Sequence, residues 1–186
     1  MTGVARPLGW LLLVATSACG DPSESGDAPA AGARGRPSVT AAPPEVDTAA
    51  IDARAPGLRH LEGTFANADE RSEWRASFDG AALLRIVERR QRVGGDSGVL
   101  HHYFRDGRHR LTREVRVATL LERDGPPRVD TIRVVCAWDA AGALLAREKS
   151  IDGVFSAVQP FEAEAYRTHV AQIAQLALVR GAEPAR

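Results

Sequence analysis

Three histidines lie close together in the sequence: His101, His102 and His109. Histidine titrates near neutral pH and is a common zinc ligand, so the cluster could serve acid–base or metal chemistry. A predicted turn at Asp106 and Gly107 separates His109 from the other two. Alternation along a strand puts His101 and His102 on opposite faces, and hairpin pairing puts His102 and His109 on the same face. A zinc site needs a third or fourth ligand, which the sequence does not indicate. We therefore predict structural histidines and no bound metal.

Arginines outnumber acidic residues between positions 85 and 116. On neighbouring strands they could form a basic face that contacts anionic headgroups or another polyanion. The alternative is an ordinary solvated strand face. The formal net charge of the chain is zero and no exposed aromatic platform beyond Tyr103 accompanies the arginines, so we predict no nucleic-acid partner. The candidate anion-contact residues are Arg85, Arg89, Arg105, Arg108, Arg110 and Arg113.

Cys136 could act as a nucleophile only as a thiolate, which needs a basic neighbour. It lies instead between Val134 and Trp138 on the apolar side of a predicted strand. This position is typical of an inert buried thiol.

The segment from Gly95 to Gly98 reads Gly-Asp-Ser-Gly and resembles the nucleophile loop of chymotrypsin-like proteases. The resemblance implies a nucleophilic Ser97 beside an oxyanion hole. That family continues with Gly-Pro, whereas this chain continues with Val99 and Leu100, and the only upstream histidine is His60. We therefore interpret the segment as a polar loop between strands, and we predict no catalytic residue, no cofactor and no enzyme activity.

The N-terminus has the layout of a secretory signal. Arg6 supplies the positive charge, residues 8–15 form a mainly apolar run, and small residues follow. The apolar run is shorter than the roughly 20 residues that span a bilayer. A cleaved signal peptide is therefore favoured over a transmembrane helix.

The signal ends in Thr-Ser-Ala-Cys-Gly, which resembles a bacterial lipobox. The resemblance implies cleavage after Ala18 and a diacylglycerol on the thiol of Cys19, which would then not pair with Cys136. Thr16 departs from the family pattern, which usually has Leu there. Gly20 follows the cysteine in place of the Asp that marks inner-membrane retention in that family. The resemblance thus implies an outer-membrane anchor, with the domain facing the periplasm.

The boundaries follow from these patterns. Residues 20–42 are rich in Gly, Ala, Pro, Ser and Asp, and they cannot bury enough apolar surface to offset chain entropy. A flexible tether of this length spans about 30 Å. A short helix is predicted over residues 43–54. The predicted organisation is a signal peptide (1–18), the lipidated cysteine with its tether (19–56), one domain (57–181) and a tail (182–186).

The domain is predicted to be α+β, an antiparallel meander of about six strands with one C-terminal helix packed across it. Apolar and polar residues alternate over residues 73–78, 82–93, 99–105, 108–123, 129–138 and 143–151, and Asp-Gly turns separate several of these segments. From Pro160 to about Arg180 the period becomes helical, and Gly181 ends the helix. The apolar face of this helix comprises Ala163, Tyr166, Val170, Ile173 and Ala177.

Three functions are compatible with these patterns. The first is a lipid-anchored, non-catalytic binding or structural domain that contacts the membrane through Cys19 and an unknown envelope protein or component. The second is a carrier or sensor of a hydrophobic ligand or lipid, held in a cavity between sheet and helix. The third and weakest is a hydrolase that uses Ser97 or a histidine metal site.

Overall fold

Each strand pairs with its neighbour in the chain to form a single antiparallel sheet. The structure is a computed structural model that describes residues 46–120 and 125–182. The signal peptide, Cys19 and residues 20–45 of the predicted tether lie outside the described residues. The sheet has eight strands in the order of the chain. They are β1 Arg59–Ala66, β2 Glu70–Asp79, β3 Ala82–Arg92, β4 Ser97–Arg105, β5 Arg108–Leu120, β6 Arg128–Trp138, β7 Leu144–Ile151 and β8 Val154–Ser156.

Two helices complete the described fold: α1 Thr48–Arg54, followed by a short 3-10 turn at Ala55–Gly57, and α2 Pro160–Ala182. Helix α1 begins after Asp47, whose side chain accepts a hydrogen bond from the backbone N–H of Ala50 at 3.0 Å. The α+β class and the C-terminal helix are thus confirmed.

The expected number of strands was slightly low. The predictions missed β1, whose alternation is weakened by Gly63 and by half-exposed Leu61 and Phe65. They also missed β8, which is only three residues long and fully exposed, and therefore carries no burial pattern.

Two Asp-Gly turns adopt the conformation that tight hairpins need. Asp106 and Gly107 both have positive φ, as do Asp152 and Gly153. Positive φ at both central residues matches the right-handed twist of the flanking strands, and Asp and Gly tolerate it best. These dipeptides explain why β4–β5 and β7–β8 are adjacent hairpins.

Helix α2 covers one face of the sheet, here called the inner face. Two apolar clusters lie beneath it, one toward each edge of the sheet. Trp74, Ile86 and Ile173 are fully or almost fully buried in the first cluster, and Cys136 and Val158 in the second. Four of the five residues on the predicted apolar face of α2 are buried, namely Ala163, Val170, Ile173 and Ala177, and the fifth, Tyr166, is half-buried against the second cluster.

Among the described residues, the opposite face of the sheet, here called the outer face, is covered only at one end. There Val46 packs with Tyr103, Leu111, Ala137 and Ala146. Residues 46–56, which the sequence analysis placed in the tether, therefore pack against the sheet.

Candidate functional site

Polar and ionisable side chains occupy the middle of the inner face, between the two apolar clusters. Glu88, His102 and Thr112 are fully buried there, and Arg90 is almost so. The register explains their proximity: Ile86 on β3 pairs with His102 on β4, and His102 pairs with Thr112 on β5. With Glu70, His109 and His169 these side chains form what we call the His–Glu network.

Helix α2 contributes His169 to this network. Its Nε2 lies 2.9 Å from Glu88 Oε1, and its Nδ1 lies 3.2 Å from Glu70 Oε1. Both ring nitrogens of His169 thus face carboxylate oxygens, one from β3 and one from β2. Arg90 contacts the same two carboxylates, because its Nη2 lies 3.3 Å from Glu88 Oε2 and its Nε lies 3.5 Å from Glu70 Oε2.

The network continues into the core through His102. Its Nε2 donates to Glu88 Oε2 at 3.3 Å, and its Nδ1 accepts from the Thr112 hydroxyl at 2.9 Å. The same hydroxyl oxygen accepts from His109 Nε2 at 2.9 Å. A continuous series of hydrogen bonds therefore runs from α2 to His109, at the start of β5.

Protonation states in the network follow from burial and charge. Burial alone would raise the pKa of Glu88, but hydrogen bonds from His102 and His169, with the charge of Arg90, outweigh it and lower this pKa far below its ordinary value. Burial lowers the pKa of His102, which the adjacent Glu88 offsets only in part. Burial also lowers the pKa of His109, to about 3. Glu88 is thus ionised at neutral pH, while His102 and His109 are neutral.

A register shift explains how His109 joins the network. The β4–β5 ladder shifts between Tyr103 and Phe104, so that His109 pairs with Phe104. The extra residue of this irregularity is Arg110, which is only 4% exposed. His102 and His109 therefore share the inner face, as alternation predicted, and their ring centroids are 5.8 Å apart.

A second buried carboxylate lies beside the network. Glu114 on β5 is almost fully buried and accepts a hydrogen bond from the Tyr166 hydroxyl on α2. Burial and the charge of Glu114 raise the pKa of Tyr166 well above its ordinary value, so the phenol keeps its proton. This contact and the one through His169 attach consecutive turns of α2 to the sheet.

The network reaches the surface in an open groove of about 690 Å³ beside α2. His169 and Glu70 form its inner wall, and their side chains are 11% and 12% exposed. The rim is mainly acidic and polar, with one exposed aromatic ring at the start of α2. The lining residues are Asn67, Asp69, Glu70, Arg92, Phe161, Glu164, Ala165, Thr168, His169 and Gln172.

The arrangement is suited to holding α2 and the groove wall in place. Glu88, His102 and Thr112 cannot meet a substrate because they are fully buried. Among the residues that the structure describes, no group of three or more His, Cys, Asp or Glu side chains is placed to hold a metal ion. Buried apolar and polar side chains lie between the sheet and α2, and the hypothesis of a ligand cavity there stays a prediction.

The six predicted anion-contact arginines do not share one surface. Arg89 and Arg113 point from the outer face, with Arg113 stacked 5.9 Å from the Tyr103 ring. Arg85 forms an ion pair with Asp52 at 2.7 Å. Arg105 and Arg108 flank the β4–β5 turn, and Arg108 donates a hydrogen bond to the carbonyl oxygen of Ala140. Arg110 is buried. Arg110 therefore contributes to no exposed face.

The remaining candidates are placed as follows. Ser97 begins β4 and pairs with Gln91 and Val117 in a regular ladder. The distant His60 lies on β1, where its Nδ1 is 3.2 Å from Ser77 Oγ. Cys136 is fully buried, and burial raises the pKa of its thiol to about 12. Cys19 and Ala18 lie outside the described residues.

Sequence reasoning missed Glu70, Glu88 and His169. A signal was present: Glu88 occupies an inward position between Ile86 and Arg90, and His169 borders the apolar face of α2. Inward polar residues on two elements indicate a buried network when a partner element is known. The sequence separation of 81 residues between Glu88 and His169 left that partner unidentified.

Comparison of the chain with protein-family models, with curated proteins and with solved structures finds no match. Within residues 46–120 and 125–182, no helix has both the length and the apolar character needed to cross a membrane.

Proposed function

We propose that this protein is a membrane-anchored lipoprotein of the cell envelope whose domain is a non-catalytic binding module. The N-terminal pattern supports the anchor: small residues precede Cys19, and its acyl chains would hold the protein at the outer membrane, facing the periplasm. The observation that carries the binding role is the groove beside α2, whose inner wall is held by the His–Glu network.

Preorganisation is the argument for binding. Side chains that are already fixed by hydrogen bonds lose little entropy when a ligand arrives. His169 is held between Glu70 and Glu88 in this way. The exposed groove also has no serine or cysteine nucleophile among its lining residues. These features favour recognition over covalent catalysis.

The rim suggests the chemistry of the bound group. Asp69 and Glu164 are exposed and acidic, and Phe161 is 73% exposed at the start of α2. An envelope component that offers a basic group to the carboxylates and an apolar group to the aromatic ring would complement this groove.

The anchor is tested by intact-mass analysis of protein from native membranes beside a Cys19→Ala variant. We expect cleavage before residue 19 and the added mass of acyl chains, both absent from the variant. An unacylated mature chain would contradict the anchor and free Cys19 for disulfide pairing.

The groove is tested by placing a photo-crosslinking amino acid at Thr168, inside it, or at Ala171, which is exposed on α2 but does not line it. We expect a discrete adduct in envelope fractions from position 168 only. Identical adducts from both positions, or none from either, would argue against the groove as a binding site.

A further inference from the structure

The outer face carries exposed valines at the end that residues 46–57 leave uncovered. Val99 on β4 pairs directly with Val115 on β5, and Val117 and Val129 lie in the neighbouring rows. Their exposed fractions are 37%, 48%, 41% and 60% respectively. Exposed valines on adjacent strands form an apolar patch, which on a soluble domain generally marks an interaction surface.

Three arginines surround these valines in register. Arg89 pairs with Val99, and Arg133 pairs with Val115, so one row across the sheet reads Arg-Val-Val-Arg. Arg113 lies in the next row, on the same face. Within the part of the chain that the structure describes, no ion pair joins any of these three arginines to an acidic residue. We call the seven residues the outer-face patch: Arg89, Val99, Arg113, Val115, Val117, Val129 and Arg133.

The chain enters the domain on this same face. Val46, the first described residue, is buried against Tyr103 and Leu111 of the outer face. Residues 20–45 connect this point to Cys19. The chain that leads to an anchor at Cys19 would therefore join the domain on its outer face, not on the side covered by α2.

We propose that the outer-face patch rests on the anionic phospholipid surface of the membrane that holds the anchor. This rests on the lipid attachment in the proposed function and adds an orientation to it. Arginine side chains extend toward phosphate groups while their methylenes and the valines contact the interfacial region. Each arginine near an anionic surface strengthens association about fivefold, so three contribute roughly a hundredfold.

A second copy of this chain fits the patch less well. In a twofold dimer the same patch would face itself, bringing two sets of unpaired arginines together. Like charges across an interface oppose association. An anionic lipid surface instead complements the arginines, and the valines need only shallow contact.

The orientation has a consequence for the groove. Because α2 lies on the opposite side of the sheet, docking of the outer-face patch would direct α2 and its groove away from the membrane. The groove would then be open to components in the aqueous compartment.

The test uses the acylated full chain, reconstituted in vesicles that contain phosphatidylglycerol and a spin-labelled lipid. A fluorophore is attached at Val117→Cys on the outer-face patch or at Ala171→Cys on α2. Cys136 stays unlabelled because it is fully buried and its thiol pKa is raised to about 12. We expect the label at position 117 to be quenched several-fold more than the label at position 171.

Two comparisons make the result specific. Replacing Arg89, Arg113 and Arg133 together by Gln, or using purely phosphatidylcholine vesicles, should abolish the difference between positions. Equal quenching at 117 and 171 in anchored protein would overturn the docking proposal while leaving the anchor intact. If the quenching at position 117 changed with protein density and not with lipid charge, contact between copies of the chain would replace the docking proposal. Finding that the chain is unacylated would refute the anchor alone. The unacylated chain would then be co-sedimented with the same vesicles. If it did not bind, or if its binding did not depend on the three arginines, the docking proposal would be overturned.

Discussion

Replacing Glu88 by Gln should destabilise the domain more than any other single change of charge in the sheet. The carboxylate is fully buried and accepts hydrogen bonds from His102, His169 and Arg90 at 3.3, 2.9 and 3.3 Å. Gln is nearly the same size, but its NH₂ group would face at least one of these donors, and the buried Arg90 guanidinium would lose a counter-charge.

The magnitude follows from what remains after the substitution. Removing one partner of a buried ion pair costs about 3–5 kcal/mol. The lower end applies here, because His169 and Arg90 still have Glu70 within 3.2 and 3.5 Å. We therefore expect a loss of about 3 kcal/mol, which is a large share of the roughly 5–15 kcal/mol that stabilises a domain.

The assay is urea denaturation of the chain in a Cys19→Ser background, followed by tryptophan fluorescence and circular dichroism. Trp74 and Trp138 are both almost fully buried, so their emission reports unfolding. Glu73→Gln is the matched control, because Glu73 is exposed on the outer face of β2, and it should change stability by less than about 0.5 kcal/mol.

Two results would refute this reasoning. One is a Glu88→Gln variant within about 1 kcal/mol of the parent. The other is additivity with His169→Gln: residues in direct contact should show a coupling of at least about 0.5 kcal/mol in a double-mutant cycle.

Three further predictions concern pH, packing and thiol reactivity. Burial lowers the pKa of His109 to about 3, whereas an unfolded histidine titrates near 6.5, so the unfolded state binds the extra proton and stability falls as pH drops between these values. The contribution of His109 to this fall in the free energy of unfolding is about 2 kcal/mol between pH 7 and 5. Urea denaturation of His109→Phe should therefore show a fall that is smaller by about this amount. An equal fall in the variant and the parent would contradict the lowered pKa of His109. Gly63→Ala should cost about 1–3 kcal/mol in thermal and urea unfolding because an added Cβ would overlap the Trp74 indole, whereas Gly57→Ala, with open space around it, should be near neutral. Cys136 should react with a thiol reagent only at the rate of unfolding, and rapid reaction of the native protein would show that its burial is incomplete.

Local patterns were sufficient for most of the secondary structure. Alternation identified the strands with one strongly apolar side, such as β6, and Asp-Gly dipeptides located the turns with positive φ. Helical spacing identified the buried face of α2. These features depend on residues a few positions apart, so a sequence contains them directly. Strands β1 and β8 escaped because burial on them is too weak to impose a pattern.

The candidate site was only partly accessible to such reasoning. Placing His102 and His109 on one face needed only strand alternation and a hairpin. Predicting that they lie beside Glu88 and His169 requires knowing how β3, β4, β5 and α2 pack together. Glu88 and His169 are themselves 81 residues apart in the sequence. The chemistry of each side chain was visible in the sequence, but the partner that sets its protonation was not.

The sequence by itself contains the lipobox-like pattern, the alternation of most strands and the apolar spacing of the C-terminal helix, because each depends on neighbouring residues and the period of the backbone. The tertiary structure alone decided which polar residues are buried together, where the register shifts, and which arginines surround the exposed valines. These properties arise from strand register and from the placement of α2, and both are set by packing between segments distant in the chain.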